Sequence, residues 1–229
     1  MDYEFDKLIQ QIKSFFPLWD YKQYRGYCMK LTSFLSDKEL KTRGFKSIGK
    51  NVKISKYARF YDTASISIGN NVRIDDFCIL SGAINLGSNI HISAYSALYG
   101  QYGIEMQDFS GVSPRCTILS ASDDFSGEYM VGPMVPEDIR GVNKGKVMIE
   151  KYVQVGAGSI IMPGVILAEG SAIGAMSLVK GNADSWSIYA GVPARFLKKR
   201  MKTIKKRRIR FCITQNHDKG RNEKEIGSE

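Results

Sequence analysis

Ile149-Glu150-Lys151-Tyr152-Val153-Gln154-Val155-Gly156-Ala157-Gly158-Ser159-Ile160-Ile161 places an aliphatic residue at every sixth position, and the spacing continues without a miss through Leu167 and Ile173 to Val179. Working back along the chain, a second frame runs Ile68, Ile74, Leu80, Leu86, Ile92, Leu98. Shorter frames comprise Ile48, Ile54, Phe60 and Met106, Val112, Ile118, and the blocks are offset by two residues near Ser65–Ser67 and near Tyr99–Ile104. An even period keeps successive members on one side of a strand. An α-helix of 3.6 residues per turn would scatter them round its circumference. The Gly, Asn and Asp residues between them, as in Gly69-Asn70-Asn71, suit tight turns that need a permissive φ. The pattern is that of short strands wound into a solenoid, where each coil buries its aliphatic residue only against the coils above and below.

Two stretches break the period. Leu8, Ile9, Ile12, Phe15 and Phe16 give an apolar helical stripe before Pro17, and a second helical pattern spans Tyr24–Phe34. Residues 1–44 are therefore expected to form a helical cap over the open first coil, whose backbone groups would otherwise lack partners. The solenoid is expected over 45–181, interrupted by a loop over 124–146. That loop carries Gly127, Gly132, Pro133, Pro136, Gly141 and Gly145, and its length marks it as functional. Residues 182–229 make an exit segment and a basic helical extension.

Composition bounds the function. The chain has 229 residues and a net charge of +10, with ten of its basic residues between Arg195 and Arg210 and no acidic residue there. Such a segment suits anionic lipid head groups or cofactor phosphates, or simply forms a solvated helix. Only Phe196 and Phe211 lie among these cations, which argues against nucleic acid, where interleaved stacking aromatics are expected. The four cysteines (Cys28, Cys78, Cys116, Cys212) have no CxxC spacing and suggest neither zinc nor a disulfide framework. No apolar run approaches the roughly 20 residues of a membrane span. The acidic start Met1-Asp2-Tyr3-Glu4 lacks the positive segment of a secretory signal. A cytoplasmic protein is expected, with peripheral contact to the inner face of the membrane as one use of the basic tail.

The C-terminal half narrows the choice. Val155-Gly156-Ala157-Gly158-Ser159, Met162-Pro163-Gly164-Val165 and Ile173-Gly174-Ala175-Met176-Ser177-Leu178-Val179-Lys180 resemble the last coils of hexapeptide-repeat acyltransferases. Tyr189-Ala190-Gly191-Val192-Pro193-Ala194-Arg195 is similar to the segment that leaves the helix in the galactoside, maltose and streptogramin acetyltransferases. The resemblance covers roughly residues 45–200. It implies a mainly β protein, a left-handed parallel β-helix, despite the general preference for right-handed crossovers. It also implies a homotrimer with active sites between subunits and acetyl-CoA as co-substrate. By position, Ala157, Ala175, Lys180, Arg195 and Lys198 match the family's CoA contacts, the small residues by close backbone approach and the cations as donors to phosphate.

The same resemblance leaves the base open. Where the galactoside-type enzymes carry a histidine before the long loop, Asp123 stands in Ser120-Ala121-Ser122-Asp123-Asp124-Phe125. The chain has two histidines, His217 in the polar tail and His91. His91 precedes an inward Ile92 and so faces outward. In one reading His91 is the base and Asp123 or Asp124 of another subunit orients it. In the other, Asp123 binds the acceptor's amine or sugar hydroxyls and nothing deprotonates strongly; the plain alternative for Asp123–Asp124 is Asx-turn bonding at the loop entry. An amine attacks a thioester through its neutral form and tolerates loss of the usual base better than a hydroxyl does. The Ser-Asp-Asp-Phe-Ser-Gly stretch also resembles acetyltransferases of surface-polysaccharide clusters, among them enzymes acting on dTDP-4-amino-4,6-dideoxy sugars. The expectation is N-acetylation of such a nucleotide-linked amino sugar for O-antigen or capsule synthesis, with O-acetylation of a glycan hydroxyl as the alternative. A non-catalytic polyanion- or membrane-binding solenoid is the reading from another class. A hydratase of the γ-carbonic anhydrase type needs three His per metal, which this sequence does not offer, and no metal is expected.

Overall fold

Ile54, Ile68, Ile74, Leu80, Leu86, Ile92, Leu98, Met106, Val112, Ile118 and the 149–179 frame are all buried, and they stack in three columns. The computed structural model describes residues 33–205. They form a left-handed parallel β-helix of seven turns with a triangular cross-section. The first face aligns Ile48, Ile68, Leu86, Met106, Ile149 and Leu167. The second aligns Ile54, Ile74, Ile92, Val112, Val155 and Ile173. The third aligns Phe60, Leu80, Leu98, Ile118, Ile161 and Val179. The two-residue offsets are absorbed at the corner between third and first faces. A 3-10 turn at Thr63–Ser65 takes up one, and the long strand Ala97–Met106, whose pairing slips beside Gly82, takes up the other.

The residue four places after each frame position also turns inward, at the corners. Large side chains such as Val72, Ile90 and Val153 fill the corner between first and second faces. Between second and third the column is small: Ala58, Cys78, Ser96, Cys116, Ser159, Ser177. The serines there satisfy their hydroxyls on carbonyls, Ser96 on Ser113 at 3.0 Å and Ser159 on Gly174 at 2.9 Å. Burial pushes the Cys78 thiol up to about 11, so it stays protonated and inert. The three columns and the corner residues pack as one cluster, and the hydrogen-bonded rungs limit how far the neighbours can close a gap. Leu98→Ala, in the middle of the third column, is expected to cost about 2–5 kcal/mol. Denaturant unfolding measures it, and a loss under about 1 kcal/mol would show that adjacent coils collapse onto the space.

Both ends are closed by chain rather than left open. At the start, Phe34 bridges Ser55 in antiparallel fashion and Leu35 N–H donates to the Ile54 carbonyl at 2.8 Å. A short helix, α1 (Asp37–Thr42), follows; Ser36 and Glu39 cap it reciprocally, and it buries Leu40. The remainder of the expected cap, residues 1–32, lies outside the described residues.

At the other end the expectation of a basic helix is corrected over Ala194–Lys199, which is a strand; helix is present there only at 203–205 among the described residues. Ser187–Gly191 adds a further parallel strand to the second face, so the last turn continues past residue 181. Ala194–Lys199 then folds back antiparallel on it, through a turn at the cis Val192–Pro193 peptide. The physical reason is the exposed strand edge, whose unpaired N–H and C=O groups a strand satisfies and a helix does not. Nor is the basic segment free. Arg200 Nη1 donates to the carbonyls of Tyr152 and Gly170, both at 2.9 Å, and Lys205 pairs with Glu169 at 2.7 Å beside the Trp186 ring. Residues 206–229 lie outside the described residues.

Candidate active site

The corner between second and third faces carries three stacked turns in its lower half, Ser113-Pro114-Arg115, Gly156-Ala157-Gly158 and Gly174-Ala175-Met176. They approach closely because the glycines lack a Cβ. A Cβ on Gly156 would lie 2.5 Å from the Ala175 nitrogen. The turns are tied by Gly158 N–H to the Pro114 carbonyl at 2.9 Å and Met176 N–H to the Ala157 carbonyl at 2.8 Å. The Ala157 and Ala175 N–H groups themselves have no hydrogen-bond partner among the described residues, and they sit one rung apart, about 4.8 Å, on an accessible edge. Above them Pro114 offers no donor, but the Ser113 hydroxyl is unpartnered among the described residues. Below them Gly174 packs on Ala190, whose antiparallel partner is Arg195, an exposed residue. The edge therefore presents, in order, a hydroxyl, two backbone donors and a guanidinium, a track with a polar reactive end and a cationic end.

Of the five positions matched to CoA contacts, Ala157, Ala175 and Arg195 fall on this track. Lys198 lies further along the same exit strand, opposite Ile188, and is exposed. Lys180 is not with them; it follows Val179 at the far end of the third face, a face-width away within the chain.

The loop expected over 124–146 leaves from that same far end. Its base is a two-stranded hairpin, Ala121–Asp123 against Val142–Lys144. Asp123 is half-buried at the hairpin's last pair, opposite Val142, and its carboxylate has no partner among the described residues. Asp124 is occupied: its carboxylate accepts from the hydroxyl and backbone N–H of Ser126, the Asx-turn that starts the loop. Beyond it the loop exposes apolar side chains, Phe125 at 86% and Met134 at 94%.

His91 stands elsewhere again, on the second face. Within the chain the carboxylate that meets it is Asp75, with Oδ2 2.7 Å from His91 Nε2. The reason is register, since Arg73 and His91 are direct neighbours on adjacent rungs and Asp75 follows one inward residue after Arg73. Asp75 Oδ1 accepts from Arg73 Nε at 2.6 Å. Partial burial acts to raise the Asp75 carboxyl, but the hydrogen bonds from Arg73 and His91 outweigh it and hold it below the ordinary carboxylate range. Among the described residues no group of His, Cys, Asp and Glu is arranged to hold a metal ion.

Comparison with known proteins decides the family. A dTDP-4-amino-4,6-dideoxy-D-glucose acyltransferase from Escherichia coli is 44% identical over 175 residues, 75% of this chain and 91% of that protein. The chain belongs to this acyltransferase family. Solved structures agree with the assignment. AntD, an N-acyltransferase from Bacillus cereus in complex with dTDP and 3-hydroxybutyryl-CoA, superposes with a TM-score of 0.80 at 52% identity, covering 81% of this chain and 100% of that one. A variant of AntD in complex with dTDP-4-amino-4,6-dideoxyglucose and coenzyme A gives 0.79 at 51%, covering 80% and 99%. No family model matches the chain.

Family membership makes this an acyltransferase that uses an acyl-CoA, as its repeat and exit segment imply. Two side chains of the geometry above escaped the sequence reading. Ser113 follows an inward valine as many serines of this fold do, and only the stacking of its turn on Gly156 distinguishes it. Asp75 carries no motif; its register with His91 sets it apart.

Proposed function

We propose that the protein transfers an acyl group from acyl-CoA to the 4-amino group of a dTDP-4-amino-4,6-dideoxyhexose. The observation that carries the assignment to the site is the pair of unpartnered N–H groups on Ala157 and Ala175. They match the amide carbonyls of an extended pantetheine arm, with Arg195 and Lys198 placed for the phosphates. The thioester then lies at the upper end, beside Ser113. There the neutral amine attacks the thioester carbonyl, the C–N bond forms, and the C–S bond breaks to release the CoA thiolate. The nitrogen loses one proton to the Asp123 carboxylate, and the thiolate takes one up. The Ser113 hydroxyl donates to the carbonyl oxygen as it gains charge.

Asp123 and the CoA track occupy opposite ends of the third face, so one chain cannot bring them together. A homotrimer, in which the loop of one protomer reaches the corner of its neighbour, joins them and also covers Phe125 and Met134. It would bring Lys180 toward a neighbour's site as well. AntD gives an independent pointer. It was solved with variants of an aspartate and of a serine ten positions before it. In this chain that spacing occurs at Ser113–Asp123, on the proposed site, and at Ser65–Asp75, which is remote from the track. The acyl group is acetyl or a short relative of it, given the 3-hydroxybutyryl-CoA bound to AntD. No helix among the described residues is long and apolar enough to cross a membrane. We place the enzyme in the cytoplasm, supplying sugars for surface polysaccharide.

The test is release of free thiol from acetyl-CoA with matched pairs of amino- and hydroxy-sugar nucleotides. Turnover with the 4-amino sugar alone is the expected result. Turnover with hydroxyl acceptors alone would replace N-acylation by O-acylation.

A further inference from the structure

The charged group on the second face is not needed by the chemistry just described, yet it is built. Asp75 bridges Arg73 and His91, each through one nitrogen. The carboxylate is nearly covered, 18% exposed, while Arg73 and His91 remain 55% and 50% exposed. The bridge leaves the terminal nitrogens of the Arg73 guanidinium, which lies over the Phe34 ring at 5.3 Å from its centroid, and Nδ1 of His91 without a hydrogen-bond partner among the described residues. They stand one rung apart, about 4.8 Å, a spacing that suits oxygens of one phosphate or of two joined phosphates. The next rung of the same column is Gly111, which adds no side chain of its own below His91.

The neighbouring corner gives this pair of cations an apolar companion. Phe77 and Tyr95, the turn residues of the same two coils, stack with centroids 5.0 Å apart, and Tyr57 continues the stack above at 5.7 Å. Their edges are about half exposed, and Arg115 of the next coil sits 5.7 Å from the Tyr95 ring. A surface that joins two cationic donors to an aromatic edge suits a nucleoside diphosphate better than a bare phosphate.

Position fixes its relation to the acyl site. His91 lies one rung above Ser113's coil and two residues back along it, roughly 8 Å between backbone positions. A base works within about 3 Å of its proton, and the two outward side chains start from backbone positions well apart on the face. That separation is about the length of a pyranose ring with its anomeric phosphate. In a 4-amino sugar nucleotide the amine and the phosphate project from opposite ends of that ring.

We propose that Arg73 and His91, held by Asp75, bind the diphosphate of the nucleotide-sugar acceptor, so that His91 is a binding residue and not the base. The inference rests on the nucleotide-sugar reading above.

The experiment is steady-state kinetics on Arg73→Ala, Arg73→Lys, His91→Ala and His91→Gln in the full chain, with calorimetric binding of dTDP and of thymidine. Thermal unfolding and the KM for acetyl-CoA, expected at wild-type values, control for folding. The KM for the amino-sugar nucleotide and the Kd for dTDP are expected to rise roughly 10- to 100-fold, from the loss of charge-assisted hydrogen bonds. The expected change in kcat is less than twofold, with thymidine binding unchanged and Arg73→Lys in between. A fall in kcat of about 100-fold for His91→Ala with dTDP affinity intact would make His91 the base and overturn the inference. Wild-type parameters throughout would overturn it as well. If the wild-type enzyme binds no dTDP and acylates no nucleotide sugar, the underlying reading fails instead, and the inference with it.

Discussion

Asp123→Ala lowers kcat for the amino-sugar nucleotide by about 10²–10⁴-fold while the Kd for acyl-CoA stays at its wild-type value. The size follows from what a positioned proton acceptor contributes. The amine becomes a cation as it bonds to the thioester carbon, and expulsion of the thiolate waits on loss of that proton. In the proposed mechanism Asp123 of a neighbouring protomer receives it. The residue ends a hydrogen-bonded hairpin, opposite Val142, so its backbone is fixed although a long loop follows. Its carboxylate is half-buried and without a partner among the described residues, whereas that of Asp124, one residue on, is engaged by Ser126. Asp124→Ala should therefore loosen the loop entry and cost far less in kcat than Asp123→Ala. Asp123→Asn separates proton transfer from placement, because the amide still hydrogen-bonds the amine and no longer accepts its proton. The measurement is single-turnover acyl transfer at saturating acyl-CoA, paired with calorimetric CoA binding. Equal rates for wild type and Asp123→Ala would remove Asp123 from the chemistry.

The fold was open to sequence reading because a solenoid repeats one physical requirement. Each of Ile68, Ile74, Leu80, Leu86, Ile92 and Leu98 must fill the same kind of interior position, so the period is written six times over. The proposed CoA track was partly legible for the same reason: Ala157 and Ala175 occupy equivalent places in adjacent coils, just before the exit segment. The partners of His91 were hidden, since Arg73 and Asp75 meet it through the register of the preceding coil, 16 residues from Asp75 to His91, and neither has a local signature. The exit strand was misread as a helix because its cations dominate its composition. The demand that decides its conformation, closing an edge at Ser187–Gly191, belongs to the rung beneath it and not to its own residues. Asp123 was visible only as a departure from its relatives, and its remoteness from the track is a property of the third face.

The proposed cofactor track depends on the spacing of its rungs, and Gly156 packs directly on the next one. A Cβ there would meet three backbone atoms of the next rung, Ala175 N at 2.5 Å, Gly174 C at 2.7 Å and Ile173 O at 2.7 Å. None can rotate aside as a side chain would. The Gly156 N–H to Ile173 carbonyl bond at 2.8 Å and the Gly174 N–H to Tyr189 carbonyl bond at 2.8 Å hold those atoms in the ladder. Gly156→Ala must then push two rungs apart, which costs about 1–3 kcal/mol as overpacking does, and Gly156→Val should cost more. The displaced atom is the Ala175 nitrogen, one of the two donors proposed for the pantetheine, so the KM for acyl-CoA should rise at least about tenfold, the value of one such hydrogen bond. The affinity for dTDP, bound two rungs or more above, should hold. Gly181→Ala is the matched control: a Cβ there meets nothing within 4 Å, and its stability should stay within about 0.5 kcal/mol of wild type. Thermal unfolding and acyl-CoA titration on the two variants decide the matter. A Gly156→Ala protein with wild-type melting and wild-type acyl-CoA affinity would mean that the rungs yield without loss. The two free N–H groups would then not be the cofactor's track.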